Sequence, residues 1–343
     1  MRTLPASPTV AVLGATGAVG RVMLSILAER GFPASEVRAI ATRRSKGTEV
    51  PFGEESLIVE TIEDRGLGGV DLVLVDTPDE VARELAPKAV EAGAIVVDNS
   101  AAWRMERAVP LVVPEVNPGD LESHTGLIAS ANCTTIALVL PLAALHRRFG
   151  AERVVASSYQ AVSGAGRPGV EELREQAAKM HEHLDALGVG EGQGIVPDPE
   201  VFPAPVAFNV IPLVGSPRDE GYTGEEWKLV HETRKIMGLP GLPVTGTCVR
   251  VPSVTGHGVS AHVVFEREPD LDGALAALAE FPGVELVDLP TAQASAGRDE
   301  CLVGRVRRDP HDPRALVFFS ACDNLRKGAA LNSVQIAETL LPA

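Results

Sequence analysis

A strand, a glycine turn and a helix in immediate succession near the start of the chain constrain its fold more than any other feature. Thr9–Leu13 (TVAVL) is a compact apolar run. Gly14-Ala15-Thr16-Gly17-Ala18-Val19-Gly20 follows, with glycines at GxxGxxG spacing, and Val19–Leu27 then repeats apolar residues at helical spacing up to Gly31. Glycine permits the tight turn and lets backbone approach a pyrophosphate closely, while N–H groups at the helix amino terminus hold its charge. Such spacing also occurs in purely structural turns. Placed between a strand and a helix it points to dinucleotide binding, with Gly14, Thr16, Gly17, Ala18 and Val19 as candidate contacts.

The pattern repeats beyond that turn. Val37–Ala41, Val70–Val75 and Ile95–Val97 read as further strands, with Glu80–Ala92 as a helix between the last two. Short apolar strands alternating with amphipathic helices predict a parallel, doubly wound sheet. After about Leu127 the texture changes. Ile136–Arg148 reads as a buried helix, Val154–Ala161 as a strand, Val170–Leu187 as a helix and Gly188–Pro205 as loop. Glu225–Met237 is helical in pattern, and Cys248–Pro252 and Val259–Phe265 flank a turn at Thr255–Gly258, as in a pair of antiparallel strands. A second, α+β domain on a mixed sheet is therefore expected, with Ala329–Leu341 as a last helix. A length of 343 residues suits two domains.

The end of the second strand bears on the choice of cofactor. An NAD-preferring protein places Asp or Glu there to accept from the ribose 2′-hydroxyl. This chain has Ala41-Thr42-Arg43-Arg44-Ser45-Lys46, with three cations and no acid. Guanidinium binds a 2′-phosphate bidentately, whereas a carboxylate repels it. NADP is favoured, with Thr42, Arg44 and Ser45 as contacts and Arg43 as a further candidate; the alternative is an exposed basic loop.

Charge and composition exclude other classes. Lys+Arg 31 against Asp+Glu 46 leaves a formal charge of −15, which opposes general affinity for nucleic acid or anionic membrane. The longest apolar run, Ile136–Leu145, contains Pro141 and is about half the roughly 20 residues that span a bilayer. The amino terminus does not have the form of a secretory signal. Four scattered cysteines, Cys133, Cys248, Cys301 and Cys322, form neither a disulfide framework nor a CxxC zinc pair, so no metal and a reduced, cytoplasmic chain are expected.

Cys133 stands apart from the other three. It lies in Ala131-Asn132-Cys133-Thr134-Thr135, just before the apolar helix from Ile136. A thiol at a helix amino terminus has its thiolate stabilised by the dipole and the N–H groups there. A proton partner is needed, and of eight histidines His257 has the most suggestive setting, Gly256-His257-Gly258, where flanking glycines let the chain turn and expose an imidazole. A nicotinamide cofactor and a reactive cysteine together suit thiolate attack on an acyl donor followed by hydride transfer.

At this point the chain resembles the aspartate-β-semialdehyde dehydrogenase family. The segments that carry the resemblance are GATGAVG (14–20), DNSAAWRM (98–105), LVVPEVN (111–117), ANCTT (131–135), SSYQAVSGAG (157–166), GTCVRVPSVTGH (246–257) and DNLRKGAALNSVQI (323–336). The resemblance implies a Rossmann-like NADP-binding domain over 1–131, completed by 323–343, and an α+β catalytic and dimerisation domain with a mixed sheet over 132–322. It implies NADPH-dependent reduction of L-aspartyl β-phosphate to L-aspartate β-semialdehyde, in the biosynthesis of lysine, threonine, methionine and isoleucine. Cys133 would be the acyl-accepting nucleophile, His257 the acid/base and Gln160 the group that orients the thioacyl species. Arg250 would hold the substrate carboxylate and Glu225 its ammonium group, while Arg104, Asn132 and Lys228 would form the phosphate site. Ser163, Gly164 and Asn324 would complete the cofactor contacts. The partners implied are the small-molecule substrates and a second copy of the chain, as homodimer or homotetramer.

Two departures stand out. Many members of the family carry proline where this chain has Ala131, and many bacterial members have a small-residue loop near the nicotinamide where this chain reads Val75-Asp76-Thr77-Pro78-Asp79. Two other readings remain open at this level: reduction of another acyl phosphate such as N-acetylglutamyl phosphate, and a non-catalytic dinucleotide-binding paralogue.

Overall fold

A computed structural model describes residues 2–192 and 194–342. The terminal residues of the expected first domain, Met1 and Ala343, and Gln193 in the expected 188–205 loop lie outside the described residues. The chain divides into two compact units. The first holds residues up to Ala143, His231–Gly241 and the segment from Leu325; the second holds Ala144–Val230 and Leu242–Asn324. Asn132 and Cys133 therefore sit in the first unit, whereas the sequence boundary placed them at the start of the second.

In the first unit the elements run β1 (Thr9–Leu13), α1 (Ala18–Glu29), β2 (Glu36–Ile40), β3 (Glu49–Phe52), β4 (Glu55–Ile58), α2 (Ile62–Arg65), β5 (Leu72–Val75), α3 (Asp79–Glu91), β6 (Ile95–Asp98), β7 (Leu111–Val112), β8 (Leu127–Ser130) and α4 (Cys133–Phe149), whose last residues belong to the second unit. Six strands form one parallel sheet in the order β2-β1-β5-β6-β8-β7. The chain passes from β1 to β2 on one side and returns to β5 on the other, so the switch point where such sheets bind ligands lies between β1 and β5.

Alternation along the strands explains why both faces are apolar. Val10, Val12, Leu72, Leu74, Ile95 and Val97 pack with Met23, Leu24 and Leu27 of α1. Ala11, Leu13, Val73, Val75 and Val96 pack with Ala82, Ala86 and Ala89 of α3, whose small side chains allow close approach. Each fully buried Val or Leu contributes about 1.5–3 kcal/mol against exposure. The β3–β4 hairpin, turning at Gly53 (φ 60°), was not expected from the sequence because Pro51 and three acids interrupt any apolar alternation.

The second unit contains β9 (Ala151–Gln160), α5 (Gly166–Met180), α6 (Leu184–Gly188), α7 (Gly224–Ile236), β10 (Val244–Arg250), β11 (His257–Phe265), α8 (Leu271–Ala279), β12 (Val284–Leu286), α9 (Ala292–Ser295), β13 (Cys301–Arg308) and β14 (Ala315–Cys322); α7 ends within the first unit. Its sheet is mixed, ordered β10-β9-β11-β14-β13-β12. The strands expected as neighbours, β10 and β11, are not paired with each other: β9 lies between them, parallel to β10 and antiparallel to β11. Their connection is too long for a tight hairpin, and its backbone is used elsewhere. Ser253 and Val254 carbonyls accept from the N–H groups of Val162 and Ser163, which carries the segment across the end of β9.

The single helix expected over Val170–Leu187 begins earlier, at Gly166, and gives way to a 3-10 turn (His181–His183) before α6. The chain then returns to the first unit through a π turn at Arg326–Ala330 and α10 (Leu331–Thr339). Asn332 there donates to Val112 O and Ser130 Oγ, both at 2.9 Å, and ties the ends of β7 and β8.

Candidate active site

At the switch point of the first unit lies a cavity of about 440 Å³ whose lining includes Gly14, Gly17, Thr42, Arg43, Asp76 and Thr77. Its turn demands glycine. Gly14 has φ 88°, and a Cβ added there would lie 2.0 Å from Asp76 O; one at Gly20 would lie 2.2 Å from Gly14 O. Gly17 caps α1 at Ala18 and leaves the backbone bare toward the cavity, so the residues present fit a dinucleotide phosphate.

The expected cofactor residues separate here. Thr16 and Thr42 line the cavity, with Thr16 Oγ1 3.4 Å from Ser45 Oγ. Ala18 and Val19 form the first turn of α1. Arg43 lines the cavity and pairs with Glu63 of α2 at 3.4 Å; Arg44, exposed like Arg43, is not part of the lining.

Asp76 follows β5 directly and accepts from Asn99 Nδ2 at 3.1 Å. Its other carboxylate oxygen is 3.8 Å from the Cβ position of Gly17, and burial pushes its carboxyl above the usual range.

Cys133 is the first residue of α4 and is partly exposed, while Cys248, Cys301 and Cys322 are buried. Asn132 makes the helix start: its Oδ1 accepts from Thr134 N at 2.9 Å and Thr135 N at 3.3 Å, and its carbonyl accepts from Ile136 N. Such a cap is worth about 1 kcal/mol and fixes which residue stands first in the helix. Arg104 does not stand open to solvent. Its guanidinium donates to Ser130 O (2.9 Å), Asn99 O (2.7 Å) and Glu232 Oε1 (3.1 Å).

In the second unit, β9, β11 and the end of β10 assemble another group of expected residues. His257, the first residue of β11, is fully buried, which corrects the expectation of an exposed imidazole. The flanking glycines serve close packing instead: a Cβ at Gly256 would lie 2.1 Å from Ala292 O, and one at Gly258 would meet the Phe319 ring at 2.5 Å. His257 Nδ1 accepts from Ala161 N at 3.1 Å, and Nε2 is buried without a hydrogen-bond partner among the described residues. Burial, reinforced by the nearby Arg250 charge and opposed by Glu225, pushes the imidazole down to about 3.

Arg250, at the end of β10, donates from Nη1 to Ala161 O at 2.5 Å and lies over the Phe202 ring at 5.4 Å. Gln160 ends β9, buried, with Nε2 donating to Ser158 Oγ at 3.2 Å. Gly164 belongs to the same group, since a Cβ there would lie 3.1 Å from Arg250 Nη1 and 3.2 Å from His257 Nε2. Asn324 Oδ1 accepts from Gly256 N, and its Nδ2 donates to Ser163 Oγ at 3.0 Å. Glu225 and Lys228 pair at 3.1 Å in the first turns of α7.

Comparison with known proteins decides the family. Residues 9–124 match the family described as "Semialdehyde dehydrogenase, NAD binding domain", and residues 142–327 match "Semialdehyde dehydrogenase, dimerisation domain". Aspartate-semialdehyde dehydrogenase of Streptomyces akiyoshiensis is 46% identical over 333 residues, covering 96% of this chain and 97% of its own; that of Bacillus subtilis is 40% identical over 345 residues, covering 96% of each. The crystal structure of aspartate semialdehyde dehydrogenase II complexed with ASA from Vibrio cholerae is 38% identical, with a TM-score of 0.92 over 98% of both chains. The chain belongs to the aspartate-semialdehyde dehydrogenase family.

For a member of this family, three further residues that brace these groups carry no signal in the sequence. Glu232 engages both Arg104 and Asn132; Lys235 donates to Arg104 O, Glu106 O and Val109 O at 2.7–2.9 Å; and Glu226 accepts from Thr223 N and Cys248 N. In the sequence all three are ordinary charges on an amphipathic helix. Among the described residues no group of three or more His, Cys, Asp or Glu could hold a metal, and no helix is long and apolar enough to cross a membrane.

Proposed function

We propose that the chain catalyses the reversible NADPH-dependent reduction of L-aspartyl β-phosphate to L-aspartate β-semialdehyde and phosphate, with Cys133 as nucleophile. The observation that supports this most is the buried group around His257. Its unpartnered Nε2 lies close to the Arg250 guanidinium, with Glu225 near enough to act on the ring and with space that the absent Cβ of Gly164 leaves open. A substrate with a carboxylate and an ammonium group matches Arg250 and Glu225; an N-acetylated acyl phosphate offers Glu225 no ammonium group.

In this reading the Cys133 thiolate, favoured at the start of α4, attacks the acyl carbon; the S–C bond forms as the C–O bond to phosphate breaks. Lys228 and Asn132 receive the departing phosphate; Arg104, implied there by the family resemblance, is engaged by Glu232, Ser130 O and Asn99 O. When bound, NADPH supplies the hydride for the thioester, held by Gly14–Val19, Thr42 and Arg43 with Arg44 and Ser45 beside them, and by Ser163, Gly164 and Asn324. Because Nδ1 of His257 is an acceptor, the neutral ring carries its proton on Nε2, from which it hydrogen-bonds the oxyanion that hydride addition leaves; that oxyanion collapses to the aldehyde as the C–S bond breaks and the Cys133 thiolate leaves. Gln160 orients the acyl oxygen.

The second unit carries the family's dimerisation domain. The assembly we infer is a homodimer formed through the bare face of the mixed sheet, where Val155 and Tyr159 are exposed and the Tyr159 and Phe319 rings lie 5.8 Å apart. A dimer of dimers is the alternative outcome of a light-scattering mass. Four cysteines that form no disulfide among the described residues, one of them the reactive thiol of this reading, suit the reducing cytoplasm.

The test is a spectrophotometric assay of the reverse reaction. NADPH forms only when semialdehyde, NADP and phosphate or arsenate are all present, and not with N-acetylglutamate semialdehyde. Turnover retained by Cys133→Ala refutes the mechanism.

A further inference from the structure

We infer that Glu232 is a positioning residue for the thiol: its carboxylate fixes the turn that delivers Cys133 to the first position of α4. The inference rests on Cys133 being the nucleophile. Glu232 is 1% exposed. Its Oε2 accepts from the backbone N–H of Asn132 at 2.7 Å, and its Oε1 accepts from Arg104 Nη1 at 3.1 Å. Arg104 Nε in turn donates to Ser130 O at 2.9 Å.

One carboxylate and one guanidinium thus hold the N–H and the C=O on either side of Ala131, immediately before the nucleophile. With alanine at 131 no pyrrolidine ring restricts the backbone there, so the turn depends on the clamp. Lys235 secures the other side: its ammonium holds the carbonyls of Arg104, Glu106 and Val109, which fixes the loop that presents Arg104.

A carboxylate is the group this place requires. It accepts on both oxygens at once, from an amide N–H and from a guanidinium, and its charge balances Arg104. An amide of the same shape cannot do so, because its NH₂ would face another donor. The clamp acts on where the sulfur stands; its carboxylate faces two cations, Arg104 in direct contact and Lys235 nearby.

The test uses the full-length enzyme with Glu232→Gln and Glu232→Asp, measuring kcat, the KM of each substrate, thermal melting, and iodoacetamide alkylation of Cys133 against pH. In Glu232→Gln, kcat falls on the order of 100-fold through misplacement, in a protein still folded at the assay temperature. The KM values for semialdehyde and phosphate stay within about threefold, as when an interaction serves the transition state alone. The alkylation midpoint moves down by about one pH unit because the lost carboxylate no longer offsets the charges of Arg104 and Lys235. More thiolate with less turnover is a combination that a purely structural role does not produce.

Glu232→Asp retains the charge on a shorter stem, so the midpoint returns to the wild-type value while kcat stays low. It carries the test if the Gln variant does not fold. A kcat within about threefold of wild type in whichever variants fold, or a loss that only follows the unfolded fraction, overturns the inference. Cys133→Ala, run alongside, separates the two claims: an active Cys133→Ala removes the cysteine mechanism, and an inactive one beside normal Glu232 variants removes only the role of Glu232.

Discussion

The imidazole of His257 and the backbone of Ala161 are joined by a hydrogen bond of 3.1 Å in which the ring nitrogen Nδ1 is the acceptor. That direction fixes the tautomer, because a nitrogen that accepts carries no proton. It leaves the proton of the neutral ring on Nε2, so a fully buried ring can be a donor there without becoming charged, and the pH behaviour follows from it.

In the folded chain burial holds His257 at about 3, whereas an unfolded histidine titrates near 6.5. Between those values the unfolded chain takes up a proton that the folded one does not. The contribution of His257 therefore lowers stability as pH falls, by about 1.4 kcal/mol per pH unit at full slope. Urea midpoints measured from neutral pH down to about pH 4 should show a steeper loss for wild type than for His257→Gln. Equal slopes would contradict the buried neutral ring.

Gly164→Ala tests the space beside that ring. Its φ is not positive, so alanine is sterically compatible with the backbone, but the new methyl lies 3.1 Å from Arg250 Nη1 and 3.2 Å from His257 Nε2. Turnover should drop by about 10–100-fold with little change in melting temperature, since displacement of reacting groups by fractions of an ångström is costly. Wild-type turnover would mean that no substrate atom occupies that space.

Asp76 places a carboxylate beside the phosphate turn, its Oδ2 3.8 Å from the Cβ position of Gly17. Asp76→Asn keeps the acceptor for Asn99 and removes the charge, and the KM for NADP should fall by about 5–10-fold, the effect of relieving roughly 1–1.4 kcal/mol of like-charge contact. Because burial raises this carboxyl, wild-type NADP binding should tighten as pH drops and the variant should lack that trend. Titration of NADP against protein fluorescence at several pH values reads both.

Lys327, with no exposed surface, donates to both carboxylate oxygens of Glu115 at 2.8 Å and to Gln335 Oε1 at 2.6 Å. Lys327→Met takes the cation from a largely buried carboxylate that keeps Gln335 Nε2 at 3.0 Å, and should cost about 3–5 kcal/mol. The double variant Lys327→Met with Glu115→Leu should recover much of that loss, as measured by urea unfolding.

The site residues differ in how far the sequence could reveal them. Cys133 was legible because a helix start is a local event, written in Asn132, the two threonines and the apolar run that follows. The phosphate turn was legible for the same reason, its glycines required by backbone contacts within a few residues and with Asp76 O. The burial of His257 was not, because glycines that permit an open turn also permit a tightly covered one, and Ala292 and Phe319 arrive from distant parts of the chain. Strand pairing failed in the same way: β10 and β11 have the alternation of neighbours, and only the assembled sheet inserts β9 between them.

By itself, the sequence determined the parallel nucleotide-binding sheet, the turn at Gly14–Gly20 and the placement of Cys133 at the head of a helix, since hydrophobic period, glycine and capping act over a few residues. Tertiary structure alone decided how charge is used. It closed Arg104 onto Glu232, 128 residues away, put an acid beside the phosphate turn and removed His257 from water. Those outcomes depend on desolvation and on which distant groups become neighbours, and a linear pattern of charges contains neither.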